Sequence, residues 1–101
     1  MPRIELAPEV IGDFDRFVNH LTEHGAKETT ARIAEILDAL EVLGHSPLIG
    51  RRVRGGKREL VIGRASRGYV ALYRFVARLD IVVVLAIRSQ REAGYARISR
   101  T

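Results

Sequence analysis

Tyr69-Val70-Ala71-Leu72-Tyr73-Arg74-Phe75-Val76 and, a few residues on, Asp80-Ile81-Val82-Val83-Val84-Leu85-Ala86-Ile87 decide the fold. The first segment has a period of two, with Tyr69, Ala71, Tyr73 and Phe75 against Val70, Leu72, Arg74 and Val76, which is the signature of a strand. The second is almost wholly apolar and β-branched, as expected of a central strand covered on both faces. Only Arg78-Leu79-Asp80 turns one into the other, so they are antiparallel neighbours. Aromatic residues alternating on a strand belong to a core more often than to a base-stacking platform. Tyr69, Tyr73 and Phe75 are therefore expected inside.

Upstream, residues 58–64 alternate again, with Leu60 and Ile62 on one face and Glu59 and Val61 on the other. Ser66-Arg67-Gly68 is a turn signal, so the sheet over 58–88 reads as a three-stranded antiparallel meander. Residues 44–57, Gly-His-Ser-Pro-Leu-Ile-Gly-Arg-Arg-Val-Arg-Gly-Gly-Lys, form a basic loop by composition. Before it come two amphipathic helices, a hairpin over about 8–44. Pro8 suits a first helical position, and Val10, Phe14, Phe17, Val18 and Leu21 make the first stripe. His24-Gly25 stops it. The second helix runs from about Lys27 to Leu43 on a stripe of Ile33, Leu37 and Leu40, widened by Ile36 and Leu43, and ends at Gly44. Arg3-Ile4-Glu5-Leu6-Ala7 alternates as a short strand. The expected architecture is a single α+β domain over 1–101: N-terminal strand, antiparallel helical hairpin, then the meander, with the helices on one sheet face and a basic tail over 89–101.

Hydrophobic residues are 47% of the chain and charged residues 29%, which fits a folded domain with a well-solvated surface. With no cysteine, disulfides and cysteine metal sites are excluded, and a reducing compartment is natural. The first residues show no apolar signal core, and the Ile81–Ile87 run is far short of a membrane span, so a cytoplasmic location is expected. The net charge of +5 hides an asymmetry: residues 1–50 carry four basic and nine acidic residues, whereas 51–101 carry 13 basic and three acidic. All but one of those 13 are arginine, whose fork suits phosphate and carboxylate. A half-chain this basic attracts polyanions or acidic protein segments. The arginines are expected to gather on the sheet face away from the helices, together with the loop and the tail.

Chemistry narrows quickly. His20 and His24 have metal-binding spacing, but Glu23 is the only nearby carboxylate, so solvated histidines are expected. Arg54-Gly55-Gly56-Lys57 lacks the rest of a phosphate-binding loop. What remains is Arg58, Arg64, Arg67, Arg74 and Arg88 at strand positions or strand ends, with Glu59 and Tyr95 as candidate acid–base groups. Such a set grips a phosphate without a metal if the attacking hydroxyl is the 2′-OH of RNA. A general base is still needed, and Glu59 between Arg58 and Leu60 is expected to make an ordinary ion pair.

The chain resembles the RelE/ParE superfamily of toxins from bacterial type II toxin–antitoxin modules. Ser46-Pro47-Leu48-Ile49-Gly50-Arg51, Arg58-Glu59-Leu60, Gly68-Tyr69-Val70-Ala71-Leu72-Tyr73-Arg74 and residues 84–95 carry the likeness, in that order. The resemblance implies a growth-arresting, plasmid-stabilising toxin held in a hetero-oligomer by a cognate antitoxin, with no cofactor and no metal. It implies binding of antitoxin or target through Arg51, Arg52, Arg54, Arg58, Arg74, Arg88 and Arg91. The ribonuclease branch, which cuts mRNA on the ribosome, would use Arg58, Arg64, Arg88 and Tyr95. Position 89 is Ser where many of those relatives have histidine, and Lys57 stands alone. The long hairpin and the Pro-x-x-Gly segment look more like ParE, which poisons DNA gyrase. A ParE-like gyrase inhibitor is therefore the favoured reading, a RelE-like endoribonuclease the alternative, and a non-toxic nucleic-acid-binding module a further one.

Overall fold

A computed structural model of the chain describes residues 1–24, 29–63 and 68–90, the side chains of 20–24 excepted. The elements in order are β1 (Arg3–Leu6), α1 (Pro8–His24), α2 (Thr29–Glu41), β2 (Arg51–Val53), β3 (Lys57–Ile62), β4 (Tyr69–Val76) and β5 (Ile81–Ser89), with single 3-10 turns at Val42–Gly44 and Ala77–Leu79. One five-stranded sheet has the order β1-β5-β4-β3-β2. The last four strands form an antiparallel meander, and β1 lies parallel to β5, Arg3 opposite Ile81 and Leu6 opposite Val84. The expected α+β architecture stands, with one strand more than the sequence reading gave it.

That strand is β2, inside the stretch read as loop. Arg51-Arg52-Val53 has no apolar alternation of its own. It is a strand because it pairs with Glu59, Arg58 and Lys57. The turn between β2 and β3 contains Gly55 and Gly56 at φ of 80° and 72°, a backbone region that glycine enters without steric cost. Asp80 closes the β4–β5 turn at φ 54°, a conformation that Asp tolerates better than most residues.

The helices cover one sheet face, α1 against β5 and α2 against β3. Val10 and Phe17 of α1 and Ile36 and Leu40 of α2 are buried with Leu43 from the following turn, over Ile62, Tyr69, Ala71, Tyr73, Val82, Val84 and Ile87. Phe17 meets Tyr69 with ring centroids 5.0 Å apart. Tyr69 and Tyr73 are thus core, as expected, with Phe75 packed against them. Both helical stripes are rotated from their expected centres. Leu37 and Val18 face solvent, while Ile36 and Leu43, read as the margin of the α2 stripe, lie inside. The strand buried on both faces is β4 from Tyr69 to Tyr73, not β5, whose Ile81, Val83 and Leu85 are half-exposed. The reason is position: β4 is the middle strand of five.

A charged pair on α1 is hydrogen-bonded to the backbone of β5. β1 ends opposite Val84, and β5 continues past it, with a register shift against β4 at Leu72/Tyr73. Asp13 of α1, only 2% exposed, accepts the Ile87 N–H at Oδ2 (2.9 Å). Arg16, one turn on, binds Asp13 Oδ1 at 3.1 Å and reaches the Ile87 carbonyl at 3.4 Å. Helix side chains here meet the backbone groups of a strand that has outrun its neighbour, so neither is left as a buried orphan.

Candidate functional site

Register sorts the strand cations onto two faces. Residues directly opposite in neighbouring strands share a face. Arg58 stands opposite Tyr73, and Arg52 opposite Arg58, so both lie on the helix side. Arg51 faces Glu59, and Arg88 faces Val70; these lie on the outer side together with Arg74. The expectation that the strand arginines share the outer face therefore fails for Arg58, and Arg52, expected in the loop, lies on β2 instead. Arg58 shares the parity of Leu60 and Ile62, which puts it on the face of the buried Tyr73.

Arg58 has a defined task. Its Nη1 donates to the carbonyls of Gly50 (2.9 Å) and Leu48 (3.1 Å). Tyr73, fully buried, works on the same loop: its hydroxyl accepts the Gly50 N–H (2.8 Å) and donates to the Pro47 carbonyl (2.8 Å). Ile49 N–H closes a turn on Ser46 O at 3.1 Å, with Pro47 at the position where its fixed φ fits. Gly50 has no substitute in this clasp, because an added Cβ would sit 2.6 Å from Tyr73 Oη and 2.8 Å from the Glu59 carbonyl. The outcome is a rigid turn that turns Leu48 and Ile49 outward, 59% and 56% exposed.

Glu59 makes the expected ion pair, its Oε1 2.8 Å from Arg51 Nη2. Arg74 Nη2 donates to the Gly55 carbonyl at 2.9 Å and so steadies the β2–β3 turn. Arg88 is half-buried, and its Nη1 donates to the Ser89 carbonyl at 3.2 Å. Arg52 and Arg54 are exposed and make no ion pair among the described residues. Arg64, Arg67, Arg91 and Tyr95 lie outside the described residues, as does the His20–His24 side-chain pair. The structure thus brings Arg51, Arg52, Arg54 and Arg58 together around one turn and one strand pair. Arg74 reaches the same turn from β4, and Arg88 lies on β5.

Tyr69 is buried beside the α2 charges. Burial pushes its phenol above the usual value of 10.0; Arg32 opposes the rise and Glu35 adds to it.

Sequence reasoning missed two things. One is the Tyr73–Arg58 clasp, whose only signal was Pro47 and Gly50 bracketing two large apolar residues in a polar loop. The other is Asp13, whose signal was an acid sitting between Val10, Phe14 and Phe17 on the apolar stripe.

A family model described as the ParE toxin of the type II toxin–antitoxin system, parDE, matches residues 4–94. This chain belongs to the ParE toxin family. Three solved structures share the fold. A chain of the chromosomal ParDE toxin–antitoxin system from P. aeruginosa superposes with a TM-score of 0.73 at 18% identity, covering 88% of this chain and 96% of that one. A chain of the intact E. coli RelBE toxin–antitoxin complex gives 0.62 at 14% identity, covering 91% and 100%. A mutant of E. coli toxin RelE in the free state gives 0.54 at 15% identity, covering 89% and 84%. At these identities the likeness is one of fold. No curated protein matches the sequence significantly. The ParE family match covers both the clasped turn and the strand cations, and it stops one residue short of Tyr95.

Proposed function

We propose that this ParE-family toxin acts in the cytoplasm as a protein-binding inhibitor of DNA gyrase and is neutralised by a cognate acidic antitoxin. One observation carries the choice against a nuclease. The two strand groups a metal-independent nuclease would most need are already engaged: Arg58 by two backbone carbonyls and Glu59 by Arg51. RNA cleavage through the 2′-OH requires a general base at the scissile phosphate, and Glu59, the candidate base on β3, is held by Arg51. A toxin that works by binding needs surface rather than a base. The antitoxin's seat is the positive outer surface of Arg51, Arg74 and Arg88. An acidic segment that orders on binding gains there from charge complementarity and from a large interface. In a plasmid-borne module the same action would penalise cells that lose the plasmid.

The test is a pair of assays on the purified chain, gyrase supercoiling and mRNA cleavage on programmed ribosomes. Inhibition of supercoiling without cleavage is expected. Cleavage that disappears in Arg64→Ala, with supercoiling untouched, would replace this reading by the ribonuclease one. Harmless expression with steep salt-dependent nucleic-acid binding would replace both.

A further inference from the structure

We propose that the clasped turn Pro47–Gly50 is the contact by which the chain engages its folded target, a protein with an apolar pocket rimmed by carboxylates. The proposal deepens the gyrase reading and rests on it.

Three observations converge on this turn. First, Leu48 and Ile49 are large, apolar and more than half exposed. Second, their backbone is held by the core: the carbonyls of Pro47, Leu48 and Gly50 and the N–H of Gly50 are all bonded to Tyr73 or Arg58. A turn whose conformation is fixed before contact loses little entropy on binding. Third, the stretch of chain that carries the turn is basic. Residues 44–58 contain five lysines and arginines and no acid. Of these, Arg52 and Arg54 are exposed and make no ion pair among the described residues.

The shape and chemistry select the occupant. Two side chains projecting from a rigid turn require a concave receiver, which a folded protein has. A segment that orders on binding instead lays itself into a groove. Leucine and isoleucine have no π-face for a base to stack on, so the turn favours protein over nucleic acid. The flanking guanidinium groups demand carboxylates around the pocket. This assigns the turn to the target and leaves the outer strand cations to the antitoxin.

The experiment compares the full chain with Leu48→Asp and Ile49→Asp, and with Ile11→Asp as a control at a similarly exposed position on α1 (63%). Three quantities are read: inhibition of purified gyrase, affinity for the protein encoded by the adjacent reading frame, and melting temperature. Each turn variant is expected to need at least tenfold more protein for half-inhibition, with antitoxin affinity within twofold and melting unchanged. Ile11→Asp should match the parent. Arg52→Glu with Arg54→Glu should weaken inhibition most at low salt. Undiminished inhibition by both turn variants overturns the inference while the gyrase reading stands. Loss of antitoxin affinity in step with inhibition, melting unchanged, gives the turn to the antitoxin and also overturns it. A parent chain that leaves gyrase untouched removes the reading and the inference together.

Discussion

Replacing Asp13 by alanine should destabilise the chain by about 1–3 kcal/mol. The figure follows from what the carboxylate touches. Its Oδ2 accepts the Ile87 N–H in a buried site, and leaving such a donor unpaired costs about 1–3 kcal/mol. Its Oδ1 pairs with Arg16, whose side chain is 37% exposed, so solvent screening holds that share to about 0–1 kcal/mol. Alanine returns a few tenths of a kcal/mol in helix propensity. The net loss is a large fraction of the ~5–15 kcal/mol that holds a domain of this kind together. It should lower the melting temperature by roughly 10 °C and move the urea midpoint without changing the slope. Asp13→Asn is the informative partner. Its amide oxygen still accepts from Ile87, so it should lose only about 1 kcal/mol. The reasoning is refuted if the alanine variant unfolds within about 0.5 kcal/mol of the parent, a margin typical of indifferent surface changes. It is refuted equally if asparagine costs as much as alanine, because the backbone contact would then contribute nothing.

The remaining predictions concern the turn and the buried phenols. Tyr73→Phe strips the hydroxyl from Gly50 N and Pro47 O and should cost about 1–3 kcal/mol in urea unfolding, with faster proteolysis between Pro47 and Arg52. Gly50→Ala forces a methyl within 2.6 Å of that same hydroxyl. It should cost at least as much, about 1–3 kcal/mol or more, and equal stability to the parent would show that the turn yields freely. Tyr69 holds its proton more tightly when folded than when unfolded. Its contribution is therefore full below the unfolded value of 10.0 and lost as pH rises through the folded one. Melting curves across that range should fall more steeply for the parent than for Tyr69→Phe; identical slopes would show that burial does not shift the phenol.

Much of the architecture was legible because local pattern and tertiary position agreed. Residues 69–76 alternate and form a strand; Pro8 and Glu9 open a helix where the stripe begins. β2 was not legible, since Arg51-Arg52-Val53 carries no periodicity and its pairing depends on two glycines at positive φ beyond it. The helical stripes were found but rotated. A wide apolar arc does not say which of its edges meets the sheet, and only the contact of α2 with β3 settles that Ile36 rather than Leu37 lies inside. At the candidate site, composition revealed the basic stretch but not its parity. Arg58 looked like a phosphate grip because the carbonyls it holds come from eight and ten residues upstream, a distance at which sequence pattern carries no signal.

The parallel pairing of β1 with β5 has a consequence for how a new copy comes into being. Arg3 donates to the Asp80 carbonyl and Ala7 to that of Val84, so β1 finds its neighbour only after β2, β3 and β4 have been made. Closing so long a loop is slow. A copy made only as far as β4 therefore has no partner for β1 and no completed sheet.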